Sequence, residues 1–423
     1  MPIRKNAFPL ALALSLALGS AQAVTNITVW YPWGPPDGQA VVDRAAEFNA
    51  SQSDIHVNAV LVSGSGIQGT TQGKFLTSVT SGQVPDAVLY WGQDVIPGLA
   101  ALGALEPLDG YFTDAGLKPA TINPAALNAM KVGGKTYGVP QMSSDLMLYY
   151  NKAMFKAAGL QPPKTLAELD AAAEKLTVKN GNEVSRMGFI PWLQQGLPLV
   201  WSGIFGGTGK LVDAGGKVNA SNTGTLKALQ WEAGYVKKYG AANLTRFISS
   251  IGSTTGSSAS DPFLLEKVAM EVNGQWHGNY LKRYKPNLDY GVVPIPYPVG
   301  GAPGATWINS NAWLVPKGSK NALAAMKFIA YTSQAAVSAK HADAVYNISP
   351  VLGASKLQKT LGQPAVKLAT QLFGGKNVFT SPVTPQILNL QNELLTAFES
   401  VQHGSATPEA ALTAAQKNLD QSK

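Results

Sequence analysis

The chain has 423 residues, 33 Lys and Arg against 25 Asp and Glu for a net charge of +8, and no cysteine. That length suits two or three domains, each with its own core. The missing cysteine excludes disulfides, thiolate metal sites and a lipid carried on an N-terminal cysteine. The lysines are scattered, with no run of five like charges, which argues against a nucleic-acid footprint.

In chain order, Arg4 and Lys5 precede an apolar run from Leu10 to Leu18 and the small-residue ending Ala21-Gln-Ala23. This pattern reads as a secretory signal sequence, too short to span a bilayer. Cleavage is expected after Ala23, giving a mature chain from Val24. Unlipidated, that chain is expected in a periplasm-like compartment.

Short apolar strands then alternate with amphipathic helices. Ile27–Trp30, Ile55–Val62 and Asp86–Trp91 read as strands, and Val41, Val42, Ala45 and Phe48 form one face of a helix between the first two. The alternation predicts an α/β fold. From Tyr137 a strand is expected to stop at Pro140. A polar turn Ser143-Ser144-Asp145 and a second apolar run, Leu146–Tyr150, follow. The segment reads as a crossover between two lobes. Thr165 and Glu168 form a capping box ahead of a helical face of Leu166, Leu169, Ala173 and Leu176. Asn321–Ala339 reads as one long helix, Thr407-Pro408 as the start of another, and Gly252–Ser260 as a surface loop.

Two glycine motifs resemble phosphate-binding loops. Gly64-Ser-Gly66-Ile-Gln-Gly69 matches the dinucleotide fingerprint, but Thr70–Gly73 is read as continuing the polar loop rather than opening a helix. Gly73-Lys74 lacks the hydroxyl that should follow. His56, His277, His341 and His403 have no metal-ligand spacing, so structural or surface roles are expected. No cofactor, metal or catalytic residue is assigned.

The nine tryptophans carry the functional signal. Trp33-Gly34 lies in the loop after the first strand, and Trp91, three residues before Asp94, ends the Asp86 strand. Trp192 follows Gly188–Pro191, Trp276 follows Ala269–Gln275, and Trp307 lies two residues before Asn309. Strand ends are where open α/β sheets hold ligands. A flat indole covers the apolar face of a sugar ring, and amides, carboxylates and hydroxyls satisfy its rim. Trp231, Trp30 and Trp313 are expected in the core. Trp192 and Trp201 stand open between core and ligand.

These phrases carry a family likeness. Ile27-Thr-Val-Trp-Tyr31, Ser81–Asp86, Leu102–Leu108, Tyr137-Gly-Val-Pro140, Leu148–Lys152 with Pro162–Thr165, Ala269–Gly274, Tyr290–Pro296 and Gly404–Leu412 occur in an order that resembles the solute-binding proteins of ABC importers, in the sugar-binding group that includes maltose-binding protein. The likeness implies a two-lobed periplasmic-binding-protein-like fold. The N-terminal lobe would hold 24–142 and 309–350, the C-terminal lobe 143–308 and 351–423. The chain would cross between them near Pro140–Asp145, Trp307–Asn311 and Val345–Val351. The likeness also implies a monomer that captures a carbohydrate without catalysis and delivers it to membrane permease subunits. Trp91, Asp94, Trp276 and Trp192 match family ligand contacts, and Ser143 and Ser144 a hinge-side polar pair; with Trp33, Gly34, Trp307 and Asn309 they are the candidate ligand-binding residues. One departure is that Pro385-Gln386 is not followed by the aromatic that maltose-binding protein has there. Two other readings stay open: the same fold binding a phosphorylated polyol such as glycerol phosphate, and a secreted glycoside hydrolase, which would need two flanking carboxylates.

Overall fold

The computed structural model describes residues 23–62, 70–181, 183–213, 216–251 and 258–422. Residues 1–22 of the expected signal sequence, the 64–69 glycine motif and residues 252–257 of the expected loop lie outside them. The strands that position the site are β1 (Thr25–Tyr31), β2 (Ile55–Leu61), β3 (Ala87–Tyr90), β4 (Val139–Ser144), β5 (Leu146–Asn151), β6 (Met270–Gly274), β7 (Tyr290–Val293), β8 (Thr306–Trp307) and β9 (Asn309–Leu314). The accompanying helices are α1 (Asp37–Ser51), α2 (Leu166–Leu176), α3 (Pro198–Ile204), α4 (Thr223–Tyr239), α5 (His277–Tyr284), α6 (Ala322–Thr332), α7 (Ala335–Val345), α8 (Ile387–Gln402) and α9 (Pro408–Gln421).

Two sheets organise two lobes. The first has the order β2-β1-β3-β9-β4. Its first three strands are parallel, and β9 runs antiparallel to both neighbours. It is covered on both faces, as parallel strands require. Ile27, Val29, Leu89 and Trp313 meet α1 and α6 on one side. Val88, Tyr90 and Leu314 meet Phe75, Ile96 and Leu99 on the other. The second sheet, β6-β5-β7, is antiparallel and packs against α2, α3, α4, α8 and α9 around Trp201 and Phe189.

The lobes are joined by continuous extended chain. Only Asp145 separates β4 from β5, and only Ile308 separates β8 from β9. A third passage comes late. There Ile348 pairs with Ser143, while Val351 pairs with Ile122 and packs with Ala354 on Ala339 of α7. The serine pair is strand, not turn, because β9 pairs with it: Ser310 stands opposite Ser143 and Asn309 opposite Ser144. Pro140 is tolerated beside the register shift at Asn311 and Ala312.

Two further expectations are corrected. The long helix from Asn321 is two helices, α6 and α7. The hydroxyls of Thr332 and Ser333 both donate to the Ile329 carbonyl (2.9 and 2.8 Å), competing with the helical ladder where it stops. The helix Thr70–Ser81 starts at Thr70, inside the expected polar loop; fully buried Phe75 anchors it to the first sheet, and burial outweighs weak propensity. The capping box on α2 is present, with the Glu168 carboxylate accepting from the Thr165 N–H and the Thr165 hydroxyl from the Glu168 N–H. Among the described residues no helix is long and apolar enough to cross a membrane.

Thr165→Ala removes this cap. Urea unfolding should show a loss of about 1 kcal/mol, with ligand affinity of the folded protein unchanged.

Candidate functional site

Between the lobes lies a cavity of about 480 Å³, of a size that suits a small ligand. Its floor is the crossing itself: Met142, Ser144, Trp307, Asn309, Asn311 and Asn347. The N-terminal wall is built by the loops after β1 and β3. Trp33 and Trp91 stand there with ring centroids 6.2 Å apart and planes tilted by 59°. The Trp91 carbonyl accepts from the amides of Asn309 (3.4 Å) and Asn311, pinning the wall to the floor. Gly92 permits that approach, since a Cβ would fall 2.2 Å from the Asn309 amide.

The C-terminal wall holds Trp192, Gln194, Trp276, Tyr280 and Gln391. Trp276 leads into α5 directly after β6, and its ring folds back over Gly274, where a Cβ would stand 1.8 Å from the indole. Trp33, Trp91, Trp192 and Trp276 are half-buried, each with part of its ring left uncovered. Trp307 is nearly buried and donates weakly to the Ser381 hydroxyl at 3.4 Å.

Nine of the ten candidate residues therefore line one cavity: Trp33, Gly34, Trp91, Asp94, Ser144, Trp192, Trp276, Trp307 and Asn309. Ser143 does not. Its hydroxyl faces that of Ser310 at 2.9 Å and its carbonyl accepts from Gln275, so it belongs to the crossing. Trp201 is core, fully buried and donating to the Pro191 carbonyl at 2.9 Å. Trp231 is half-buried, with its indole N–H 3.1 Å from both Asp170 oxygens.

The reading of the sequence passed over Gln194, Tyr280, Asn347 and Gln391. Tyr280 lies four residues after Trp276 and so shares its helical face, a signal that was available. Gln391 lies on α8, five residues past Gln386, where an aromatic was sought and a polar group stands.

Among the described residues, hydrogen bonds from two cavity-lining side chains join the walls across the cleft, besides the Asn279 amide donating to the Ala344 carbonyl at 2.9 Å. The Tyr280 hydroxyl donates to Asp37 Oδ2 at 3.0 Å, and the Gln391 amide donates to Asp94 Oδ2. Burial raises the Asp37 carboxyl to about 7, with the Tyr280 bond opposing the rise. Burial raises Asp94 as well, against the Gln391 bond and backbone N–H groups. No Lys or Arg lines the cavity among the described residues. The two carboxylates therefore favour a neutral partner that donates hydrogen bonds, and disfavour an anion.

Behind the C-terminal wall, Asp261, Glu271 and His277 are fully buried and bring ligating atoms within 4.8 Å of one another. His277 Nε2 lies 3.1 Å from Glu271 Oε1. Burial, reinforced by Asp261, pushes Glu271 well above the usual carboxylate range. Both Asp261 oxygens already accept from protein donors, which ties the cluster into the hydrogen bonds around it.

Two lobes joined by extended crossings around an aromatic-walled cavity define a solute-capturing receptor. A family model described as bacterial extracellular solute-binding protein matches residues 43–368, and the chain belongs to that family. It is thus a non-catalytic component of transport. Structures of CpMnBP1 with mannobiose and with mannotriose bound are 43% identical, cover 94% and 93% of this chain and all of theirs, and superpose with TM-scores of 0.88. A putative binding protein of Brucella abortus is 25% identical over 348 residues, 82% of each chain. The sn-glycerol-3-phosphate-binding periplasmic protein UgpB of Escherichia coli K12 is 30% identical over 210 residues, 48% of this chain and 47% of its own.

The raised Asp37 carboxyl has a pH signature. Its folded value lies above its unfolded one, so the native state takes up a proton as pH falls through about 7, and stability gains in that direction. From pH 8 to pH 6, urea unfolding of the ligand-free protein should show wild type gaining roughly 1 kcal/mol over Asp37→Asn. An equal response in the two proteins would mean that Asp37 is already ionised in the native state.

Proposed function

We propose that this protein is the extracytoplasmic capture component of an ABC importer and that its ligand is a short mannose-based oligosaccharide. The observation that carries the reading is the cavity wall: four half-buried tryptophans, with buried amides, hydroxyls and two carboxylates between them. That combination covers sugar faces and satisfies sugar rims, and a site built to pair hydroxyls rejects ligands that lack them. The CpMnBP1 complexes with mannobiose and mannotriose narrow the sugar class.

The glycerol phosphate reading has the UgpB likeness in its favour. Against it stand Asp37 and Asp94 on the cavity wall and the lack of a lining cation among the described residues, because phosphate sites are commonly built on Arg or Lys. The exported protein begins at Val24, carries no lipid, acts as a monomer and presents both lobe surfaces to its permease. Sugar held by both walls favours the shut cleft, and shutting is the shape that the permease reads.

Calorimetry with mannobiose, mannotriose, maltose and glycerol 3-phosphate tests the ligand class. Heat with glycerol 3-phosphate alone would overturn the sugar reading. Trp276→Ala should weaken sugar binding by about 1.5–3 kcal/mol, roughly tenfold to 150-fold. Small-angle scattering should show the radius of gyration falling when the sugar is added to protein stripped of ligand.

A further inference from the structure

The end of β6 is built around a residue without a side chain. Gly274 does not line the cavity and is buried with the rest of its strand. A Cβ placed on it would stand 1.8, 2.1 and 2.2 Å from Cζ3, Cη2 and Cε3 of Trp276. These are three consecutive ring carbons at nearly equal distances. Gly274 therefore lies against the face of the indole; at the ring's edge the two outer carbons would be markedly farther away than the middle one. The missing side chain serves close approach here, since the φ of Gly274 is not in the left-handed region. The backbone under the ring is fixed from three directions. Gly274 pairs with Leu146 of β5, its N–H donates to the Asn273 side-chain oxygen at 2.9 Å, and its carbonyl accepts from the Tyr149 hydroxyl at 2.9 Å. The Asn273 amide donates in turn to Glu271 at 2.9 Å, and Tyr149 is fully buried.

We propose that Gly274 is a positioning residue for ligand recognition: its bare backbone, held by Tyr149, seats one face of the Trp276 indole and so sets how far the ring stands out into the cavity. Trp276 is half-buried and lines the cavity. With one side of the ring taken up by backbone, the opposite face is the one left for a ligand. Ordinary contact begins near 3.4 Å, so even a methyl group at 274 forces the indole outward by about 1.6 Å or turns it. The backbone cannot yield instead without breaking the bonds that fix it. Stacking is short-ranged, so a shift of that size spoils the space for a sugar ring while leaving the indole itself intact. Position 274 thus sets the depth of the cleft at its C-terminal wall from outside the cavity lining.

The affinity arm of the test rests on the sugar reading above and uses mannobiose calorimetry. Gly274→Ala should weaken binding by roughly tenfold or more, close to the loss from Trp276→Ala. Tyr149→Phe keeps its ring but releases the Gly274 carbonyl, and should weaken binding about threefold. Both effects act through the indole. In a Trp276→Ala background neither substitution should change affinity by more than about twofold, a non-additivity that double-mutant cycles detect. A merely structural role for Gly274 predicts a lowered melting temperature with the affinity of the folded fraction kept, or an equal loss of affinity with and without the indole; either result overturns the proposal.

A second arm needs no sugar. In ligand-free protein the Hα resonances of Gly274, assigned sequentially from Asn273 and Gln275, should be shifted upfield by the indole face. They should return to the ordinary glycine range in Trp276→Ala. An ordinary shift in wild type, or one unmoved by Trp276→Ala, overturns the proposal. Absence of mannobiose heat with wild-type protein would remove the sugar class alone, with the Hα shift still deciding whether Gly274 seats the ring.

Discussion

The fold depends on how buried polar backbone is satisfied where the chain passes between lobes. Two extended segments cross together, β4 into β5 and β8 into β9. They cross far from water, where an unpaired N–H or C=O is costly. Strand pairing solves part of the problem. The Thr306 hydroxyl solves more by accepting from the Leu146 N–H (3.1 Å) and donating to the Leu146 carbonyl (2.8 Å). Gln275 completes it: its amide donates to the Ser143 carbonyl at 3.0 Å and to Asn347 at 2.8 Å, and its oxygen accepts from the Asp145 N–H at 3.2 Å. One side chain thereby ties two of the passages together, and it sits immediately before Trp276. The tryptophan wall and the crossing are neighbours in sequence as well as in space.

The walls follow from strand ends. Each sheet delivers its loops to the same cleft, so residues far apart in sequence converge without needing motif spacing. Asp37 begins α1, and Tyr280 lies on α5, 243 residues later. The carboxylates are kept without cations. Burial raises both carboxyls, and amide and hydroxyl donors meet them, an electrostatic design that suits an uncharged, hydroxyl-rich ligand.

Much of the fold was legible because strong local signals agreed with the global arrangement. The β1, β2 and β3 runs, the Thr165 capping box and the proline-led α9 all rest on short-range chemistry. The convergence of five tryptophans on one cavity was legible in part from their places at or near strand ends. What was not legible is long-range. Thr332 and Ser333 end α6 through hydroxyl bonds that composition alone does not announce. The serine pair becomes strand only because β9, more than 160 residues later, pairs with it. Gln194 looks like an ordinary loop glutamine until Asp261 is placed behind it, and Ser143 looks like a ligand contact until Ser310 and Gln275 claim its polar atoms.

The two bonds across the cleft have a consequence for signalling fidelity. Tyr280 with Asp37 and Gln391 with Asp94 join the lobes directly, without any solute between them. A receptor whose lobes touched only through cargo would adopt the transport-competent shape only when loaded. On the proposed hinge motion, each direct bond would lower the free-energy gap between the empty open and empty shut forms and raise the fraction shut without cargo. An importer that reads shape, as proposed, would then meet a background of empty receptors that resemble loaded ones. On the proposed mechanism, the strength of such direct bonds, with that of Asn279 to Ala344, would set the contrast between cargo and noise separately from how tightly the cargo itself is held.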